Sequence, residues 1–286
     1  MMKNTEIALI IDSCTDVPED LIESYGMYVV PLTVNYRDGS YLDKVTITPQ
    51  QVYDRFAEEI PTTSTPSPAS AKEVFERVVA DGFSKAIVVT ISSGLSATYE
   101  LLCSTAGEYP ELDTVVVDTK NIGMGAGLSA IRAAKLIDEG VPFEEMAGRM
   151  ADVVENTKVY FCVDTLEYLH KGGRIGLVTF AVGSLLDMRP VISCNEEGVY
   201  YTVSKARGRK QSLRKALSVA EKFAAGFSEC AIAVVNGDAV DEAEEVLASM
   251  VAEVPNHSAV YDGQISPVLV VHTGPGLIGI GVQGIA

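Results

Sequence analysis

Glu6-Ile7-Ala8-Leu9-Ile10-Ile11-Asp12-Ser13-Cys14-Thr15-Asp16 is the stretch that decides the fold. Its apolar run shows no polar alternation, the mark of a strand buried on both faces, as in parallel sheets. The run ends in carboxylates and hydroxyls. Pro18 then opens a helix that Gly26 closes. The same order recurs downstream. Lys85 to Ile91 reads as a buried strand followed by Ser92-Ser93-Gly94-Leu95-Ser96 and a helix to Glu108. Thr114 to Val117 reads as a strand ending in Asp118, followed by a helix from Gly123 to Glu139 and another from Pro142 to Asn156. Strands alternating with helices predict a mostly parallel sheet covered on both faces, with ligands beyond the carboxyl ends of its strands. Between these units, Met27 to Tyr36 and Tyr41 to Val45 read as strands of a hairpin around Asp38-Gly39. Thr48 and Pro49 start a helix to about Glu59, and a further helix runs from Ala69 to Asp81.

The pattern changes after Asn156. Val159 to Val163 reads as a strand, Ile175 to Leu186 as an apolar helix, and Pro190 to Ser193 with Val199 to Val203 as a hairpin. A basic segment leads into a helix to about Phe227. Ala231 to Val235 and Val268 to Val271 read as strands, Ala239 to Ala252 as a helix, and Leu277 to Val282 as a last strand. These readings place two domains at 1–157 and 158–286. The first has a mostly parallel sheet with helices and a β-hairpin. The second is a further α/β unit.

Composition narrows the function. The 286 residues are 47% hydrophobic, enough for a large core, while aromatics are 7% and Trp is absent, which disfavours stacking platforms for bases or sugars. A formal charge of -17 disfavours nucleic acid and anionic membrane as bulk partners. The five cysteines are scattered, without metal-ligand spacing, and read as small core residues of a cytoplasmic protein. No apolar run has the length of a membrane span.

Several segments have the residue types of a binding site. Leu166-Glu167-Tyr168-Leu169-His170-Lys171-Gly172-Gly173-Arg174-Ile175 breaks a helix at paired glycines and follows them with a guanidinium. That pattern suits a carboxylate or phosphate, and equally a turn with a surface ion pair. Thr63-Ser64-Thr65 offers three hydroxyls between Pro61 and Pro66, whose rings resist simple continuation of helix or sheet. Ser92 to Tyr99 opens a helix after a buried strand. It reads as an anion site at free N–H groups, as an N-cap, or as a nucleophilic Ser96 lacking the G-x-S-x-G elbow. Gly123-Met124-Gly125-Ala126-Gly127 lacks dinucleotide spacing and reads as close helix packing. His272 precedes Thr273-Gly274-Pro275-Gly276, a loop type that often seats function. Lys205, Arg207, Arg209, Lys210, Arg214 and Lys215 gather six of the 22 basic residues into eleven positions. This patch reads as a solvated helix start or as a docking site for an acidic partner or phosphate.

Taken together these segments resemble the DegV family of bacterial fatty-acid-binding proteins. The matching residues are Asp12-Ser13-x-x-Asp16, Thr63-Ser64-Thr65-Pro66-Ser67, Ser92-Ser93-Gly94-Leu95-Ser96-Ala97-Thr98-Tyr99, Leu166-Glu167-Tyr168-Leu169-x-Lys171-Gly172-Gly173-Arg174-Ile175 and His272-Thr273-Gly274-Pro275-Gly276, in the family's order. Thr65 stands where the family often has Gln, and Ala97 where it often has Gly. The resemblance implies a ligand tunnel between the domains holding a long-chain fatty acid such as palmitate or stearate, with no further cofactor and no metal. Thr63, Ser96, Arg174 and His272 would surround the carboxylate, with Ser64 and Ser93 next in line. It further implies a carrier that is not itself an enzyme, presenting the acid to the catalytic subunit of a fatty acid kinase for acyl phosphate formation and phospholipid synthesis. Arg207, Arg209 and Lys210 would meet that kinase. We expect a monomer with no nucleic acid partner and no stable membrane insertion. The readings from other classes are a serine hydrolase or acyltransferase using Ser96 with His272, and a phosphate-ligand enzyme using the helix starts and Arg174. Burial of about fifteen methylenes at about 0.8 kcal/mol each would supply on the order of 12 kcal/mol before ordering costs, so retention would not need a strong polar grip.

Overall fold

The computed structural model describes residues 6–178 and 188–285. The chain runs β1 (Ile7–Asp12), a 3-10 turn (Ser13–Thr15), α1 (Glu19–Tyr25), β2 (Tyr28–Val30), β3 (Thr33–Tyr36), β4 (Gly39–Leu42), α2 (Pro49–Arg55), β5 (Thr62–Ser64), α3 (Pro68–Ala80), β6 (Lys85–Thr90), α4 (Thr98–Ala106), β7 (Asp113–Asp118), α5 (Met124–Asp138) and α6 (Phe143–Glu155). It continues through β8 (Thr157–Cys162), α7 (Glu167–Lys171), β9 (Val191–Cys194), β10 (Tyr200–Ser204), α8 (Arg209–Ala224), β11 (Glu229–Gly237), α9 (Val240–Glu253), β12 (His257–Gln264), α10 (Pro267–Thr273) and β13 (Leu277–Ile285).

Among the described residues the strands form three sheets. β2-β1-β6-β7 is parallel throughout, and β1 is buried along its whole length between its two neighbours. β10-β9-β8-β13-β11-β12 is mixed, with only β11 and β12 parallel. β4-β3-β5 is a small antiparallel sheet. α5 lies between the two large sheets and is buried over nearly every residue. Gly125 and Gly127 allow this close approach: a Cβ on Gly125 would meet Val159 Cβ at 2.9 Å. The largest apolar cluster runs unbroken from β1 and β6 through α5 to β8, β11 and α10. Apolar burial is therefore shared across both halves of the chain.

Several elements depart from the sequence reading. Met27 to Tyr36 is not one strand. Pro31 and Leu32 break it into β2 and β3, which join different sheets. The returning strand of the hairpin stops at Leu42, because Leu42 O accepts the N–H groups of Val45 and Thr46 in a turn. The proline-flanked hydroxyls do form a strand, β5, at the edge of the small sheet, where each proline falls outside the ladder. The largest reversal is Val268 to Val271, expected as a strand and folded as α10. Pro267 at its first turn fixes a helical φ, and total burial removes the polar alternation that separates helix from strand. β12 has no counterpart in the sequence reading. Its alternating burial sits on an edge strand of few apolar residues. The apolar helix expected at Ile175 to Leu186 falls mostly on 179–187, outside the described residues. Within 175–178 the chain is not helical, and Leu177 pairs with Tyr201.

Candidate functional site

The carboxyl ends of β1, β6 and β7 are adjacent, and the loops leaving them are cross-linked by their own polar groups. Asp12 accepts N–H bonds from Cys14 at 2.9 Å and Ile91 at 2.7 Å. Ser93 N donates to Asp118 Oδ1, and Ser92 N donates to Asn121 O. α10 packs against β5 and α7 and is tied to the loop after β1 by Ser266 N, which donates to Asp16 Oδ1.

Thr63 and His272 meet across this junction. Their Oγ1 and Nε2 atoms are 2.7 Å apart. Alternation along β5 turns Thr63 to this side and Ser64 to the other, where Ser64 accepts from Asn35 Nδ2 near solvent. His272 lies in the last turn of α10 and is 8% exposed. Burial and the nearby Arg174 charge push its pKa down to about 3, so the imidazole is neutral at ordinary pH. Nδ1 has no hydrogen-bond partner among the described residues. It faces Gly172: a Cβ built there would collide with Nδ1 and lie 2.9 Å from Cε1. Gly172 has an ordinary helical φ of -76°, so its small size serves the neighbour rather than its own backbone. Gly173, at φ 70°, instead supplies the positive φ that ends α7.

Arg174 reaches back over this turn. Its Nη1 donates to Gly172 O at 2.8 Å and its Nε to Leu95 O at 3.3 Å. One guanidinium thus joins the loop after β6 to the turn after α7. Ser96 is next to Leu95, but its hydroxyl bonds Thr98 Oγ1 at 2.8 Å and caps Thr98 N, so it serves the start of α4. Ser93 Oγ accepts from Lys120 Nζ at 3.0 Å, and Lys120 pairs with Asp118 at 2.7 Å. Lys120, with the Ser93 bonds, holds the Asp118 carboxyl below its usual range despite burial. The structure therefore brings Thr63, His272 and Arg174 to one place through Gly172. It puts Ser96 at the margin and engages Ser64 and Ser93 elsewhere.

Thr273, the residue after His272, lines an apolar cavity. Its volume is about 30 Å³, and Met124, Phe161, Val235, Leu269, Leu277 and Gly279 form much of its wall. Leu269 and Thr273 come from the helix that carries His272. Tyr200, close enough to feel the Arg174 charge, lines it from the other side. Sequence reading missed three supports of this arrangement. Tyr168 covers Gly274 and packs on Phe56 at 5.0 Å, tying α7 to α2. Asp43 and Lys44 lie in a turn with no sequence signature, yet both reach the start of α10 or its partner Asp16. Gly94 admits the 195–198 turn, since a Cβ there would stand 2.7 Å from Glu197 O.

The basic segment divides in two. Arg209 is not free for a partner: it holds Glu242 at 2.6 Å and lies 4.0 Å from Asp164. Lys205, Arg207, Lys210 and Arg214 are exposed.

With the fold and these contacts in view, known proteins supply the relationship. A model of the family described as "uncharacterised protein, DegV family" matches residues 6–284. The chain belongs to the DegV family. A DegV domain-containing protein of Clostridium acetobutylicum is 43% identical over 96% of this chain and 98% of its own. One from Clostridium perfringens is 38% identical over 97% and 98%. Among solved structures, a DegV protein of Thermus thermophilus described for its fatty acid binding superposes with a TM-score of 0.91 at 30% identity, covering 98% of this chain and all of that one. A stearic-acid-binding protein of Eubacterium ventriosum gives 0.87 at 26% identity, with 97% and 98% covered. The two-domain DegV architecture is the one seen here. Among the described residues, no helix is long and apolar enough to cross a membrane, and no group of residues is arranged to hold a metal ion.

Proposed function

We propose that this protein binds a long-chain fatty acid, such as palmitate or stearate, with the carboxylate at Thr63, His272 and Arg174 and the acyl chain in the apolar space below. The first unit, 1–157, supplies Thr63 and the loop ending at Ser96. The second, 158–286, supplies Arg174 and His272. The observation that carries the reading is the buried Nδ1 of His272 beside Gly172, without a hydrogen-bond partner among the described residues, with an apolar cavity lined by the same helix. If Thr63 donates to Nε2, the neutral ring has its proton on Nδ1 and offers it to an anion. Arg174 compensates the charge, which a buried carboxylate requires. The fatty acid binding described for the Thermus and Eubacterium relatives supports the same class of ligand.

A cavity of about 30 Å³ accommodates one or two water-sized groups, so a long chain enters by displacing side chains from the wall. Met124, unbranched and adaptable, and Leu269 are the residues best suited to move. Native mass spectrometry of the purified protein tests the reading. A co-purifying or added long-chain acid should be retained at one per chain, and retention of none under either condition would reject it. Thr63→Val removes one donor or orienting partner and is expected to weaken palmitate by about 1 to 3 kcal/mol in a competition assay.

The finer proposal is a carrier in the cytoplasm, acting as a monomer and presenting its acid to a fatty acid kinase. It has no catalytic residue of its own in this reading. Arg207 and Lys210 form the exposed docking patch, with Arg209 committed to Glu242. Arg207→Glu is expected to lower acyl phosphate formation by a supplied kinase at least several-fold while leaving lipid retention intact. Loss of lipid together with coupling would place Arg207 in the structure of the pocket instead. The hydrolase alternative finds no support in the geometry. Ser96 bonds Thr98 and His272 bonds Thr63, so the two do not form the hydrogen-bonded pair a nucleophile needs.

A further inference from the structure

The motif Asp12-Ser13-x-x-Asp16 has no direct part in the site just described, yet its carboxylates are completely buried. Their partners show what they hold. α10 begins at Ser266, whose hydroxyl makes no capping bond within the helix, and at Pro267, which has no N–H. Two of its first-turn donors leave the helix altogether. Ser266 N donates to Asp16 Oδ1 at 3.0 Å, and Val268 N donates to Asp43 Oδ1 at 3.0 Å. Lys44 Nζ completes the junction on Asp16 Oδ1 at 3.0 Å. Asp12 holds the neighbouring wall through Ile91 N, at the start of the loop whose Leu95 carbonyl takes Arg174. α10 is seven residues long, with His272 at its other end against Thr63. At about 1.5 Å rise per residue, Ser266 and His272 are only about 9 Å apart along the helix axis.

We infer that Asp16 and Asp43 are positioning residues for the head-group site: they hold the first turn of α10 so that its last turn delivers His272 to Thr63 and to a bound carboxylate. This deepens the fatty acid reading and rests on it. Neither carboxylate touches the ligand. Their effect reaches it through the helix, which a carboxylate should feel and an uncharged head group of the same chain length should not.

The discriminating experiment uses the full chain, with palmitate and 1-hexadecanol as probes and the His272 ring followed by ¹⁵N NMR. Asp43→Ala removes the acceptor for Val268 N. It is expected to weaken palmitate on the order of tenfold or more, leave hexadecanol within about twofold, and shift the His272 ring signals in the ligand-free protein. Asp43→Asn keeps an oxygen for Val268 N and is expected to recover most palmitate affinity and the His272 signals. Asp16→Asn should do so less completely, because it loses the charge that holds Lys44. Equal loss of both probes, with the thermal midpoint falling in parallel, would reduce the carboxylates to general stability and overturn the inference. So would an unchanged His272 signal in Asp43→Ala. If the unsubstituted protein binds no palmitate, the fatty acid reading fails, while the ring signals still decide whether these carboxylates place His272.

Discussion

Gly172→Ala is expected to weaken a long-chain carboxylate by on the order of a hundredfold or more while the protein stays folded, measured by displacement of a fluorescent fatty acid. The backbone there is helical, so alanine carries no conformational penalty of its own. The added methyl meets His272 instead, colliding with Nδ1 and standing 2.9 Å from Cε1. The ring must rotate off Thr63 or surrender its free nitrogen, and either movement removes a hydrogen bond to a charged head group. Such bonds contribute about 1.5–3 kcal/mol each, and disturbing the Thr63 and His272 contacts together gives the expected size. Gly173→Ala is the control. It has open space around it but a φ of 70°, so alanine should cost about 1–2 kcal/mol of stability and leave affinity close to its starting value. If the two substitutions behave alike, Gly172 is only part of a turn, and His272 does not face the ligand through it.

This pair of glycines also marks how far the sequence could be read. Gly-Gly-Arg reads equally as an anion site and as a turn with a surface ion pair, and two glycines look identical in a sequence. Only the fold distinguishes one kept small for a neighbouring ring from one kept for its φ. The parallel sheet was legible for a plain reason. β1 and β6 are near-continuous apolar runs whose burial needs helices on both sides, and helices follow them in the chain; β7, at the sheet edge, is half-buried and shorter in apolar residues. α10 was not legible as a helix, since a short, wholly buried segment carries no periodicity. That error hid the geometry of the site, because His272 is aimed by the last turn of a helix and not by the end of a strand. The division of the hydroxyls was equally hidden. Ser64 and Ser93 have the right chemistry, but strand alternation turns the first away and Lys120 takes the second. Asp43 contributes as much to α10 as Asp16 does, from a turn with nothing unusual in its residues.

The buried carboxylates lead to the second large effect, on stability against pH. The protein is expected to be more stable at pH 5 than at pH 8, and Asp12→Asn should remove about 2 kcal/mol of that difference in denaturant unfolding. Burial pushes Asp12 up to about 7 and Asp43 up to about 6, while the N–H bonds from Ile91 and Cys14 only partly offset the cost at Asp12. Both are raised above their ordinary 3.8. The stability each contributes is therefore fully present below that value and lost as pH rises through the folded-state pKa. His272 opposes them. Held near 3 against an ordinary 6.5, it contributes stability above 6.5 that is lost as pH falls. The other groups facing Asp12 are Asp16, Asp43 and the Cys14 thiol, with Lys44 paired to Asp16. The neighbouring carboxylates favour a proton on Asp12, as burial does. In Asp12→Asn the His272 contribution remains against those of Asp43 and of Asp16, whose carboxyl burial also raises, so the curve between pH 5 and pH 8 should lose the share of its slope that Asp12 supplies. A curve that keeps its full slope in this variant would mean that Asp12 is already ionised in the folded protein at pH 5, with its two N–H bonds outweighing complete burial.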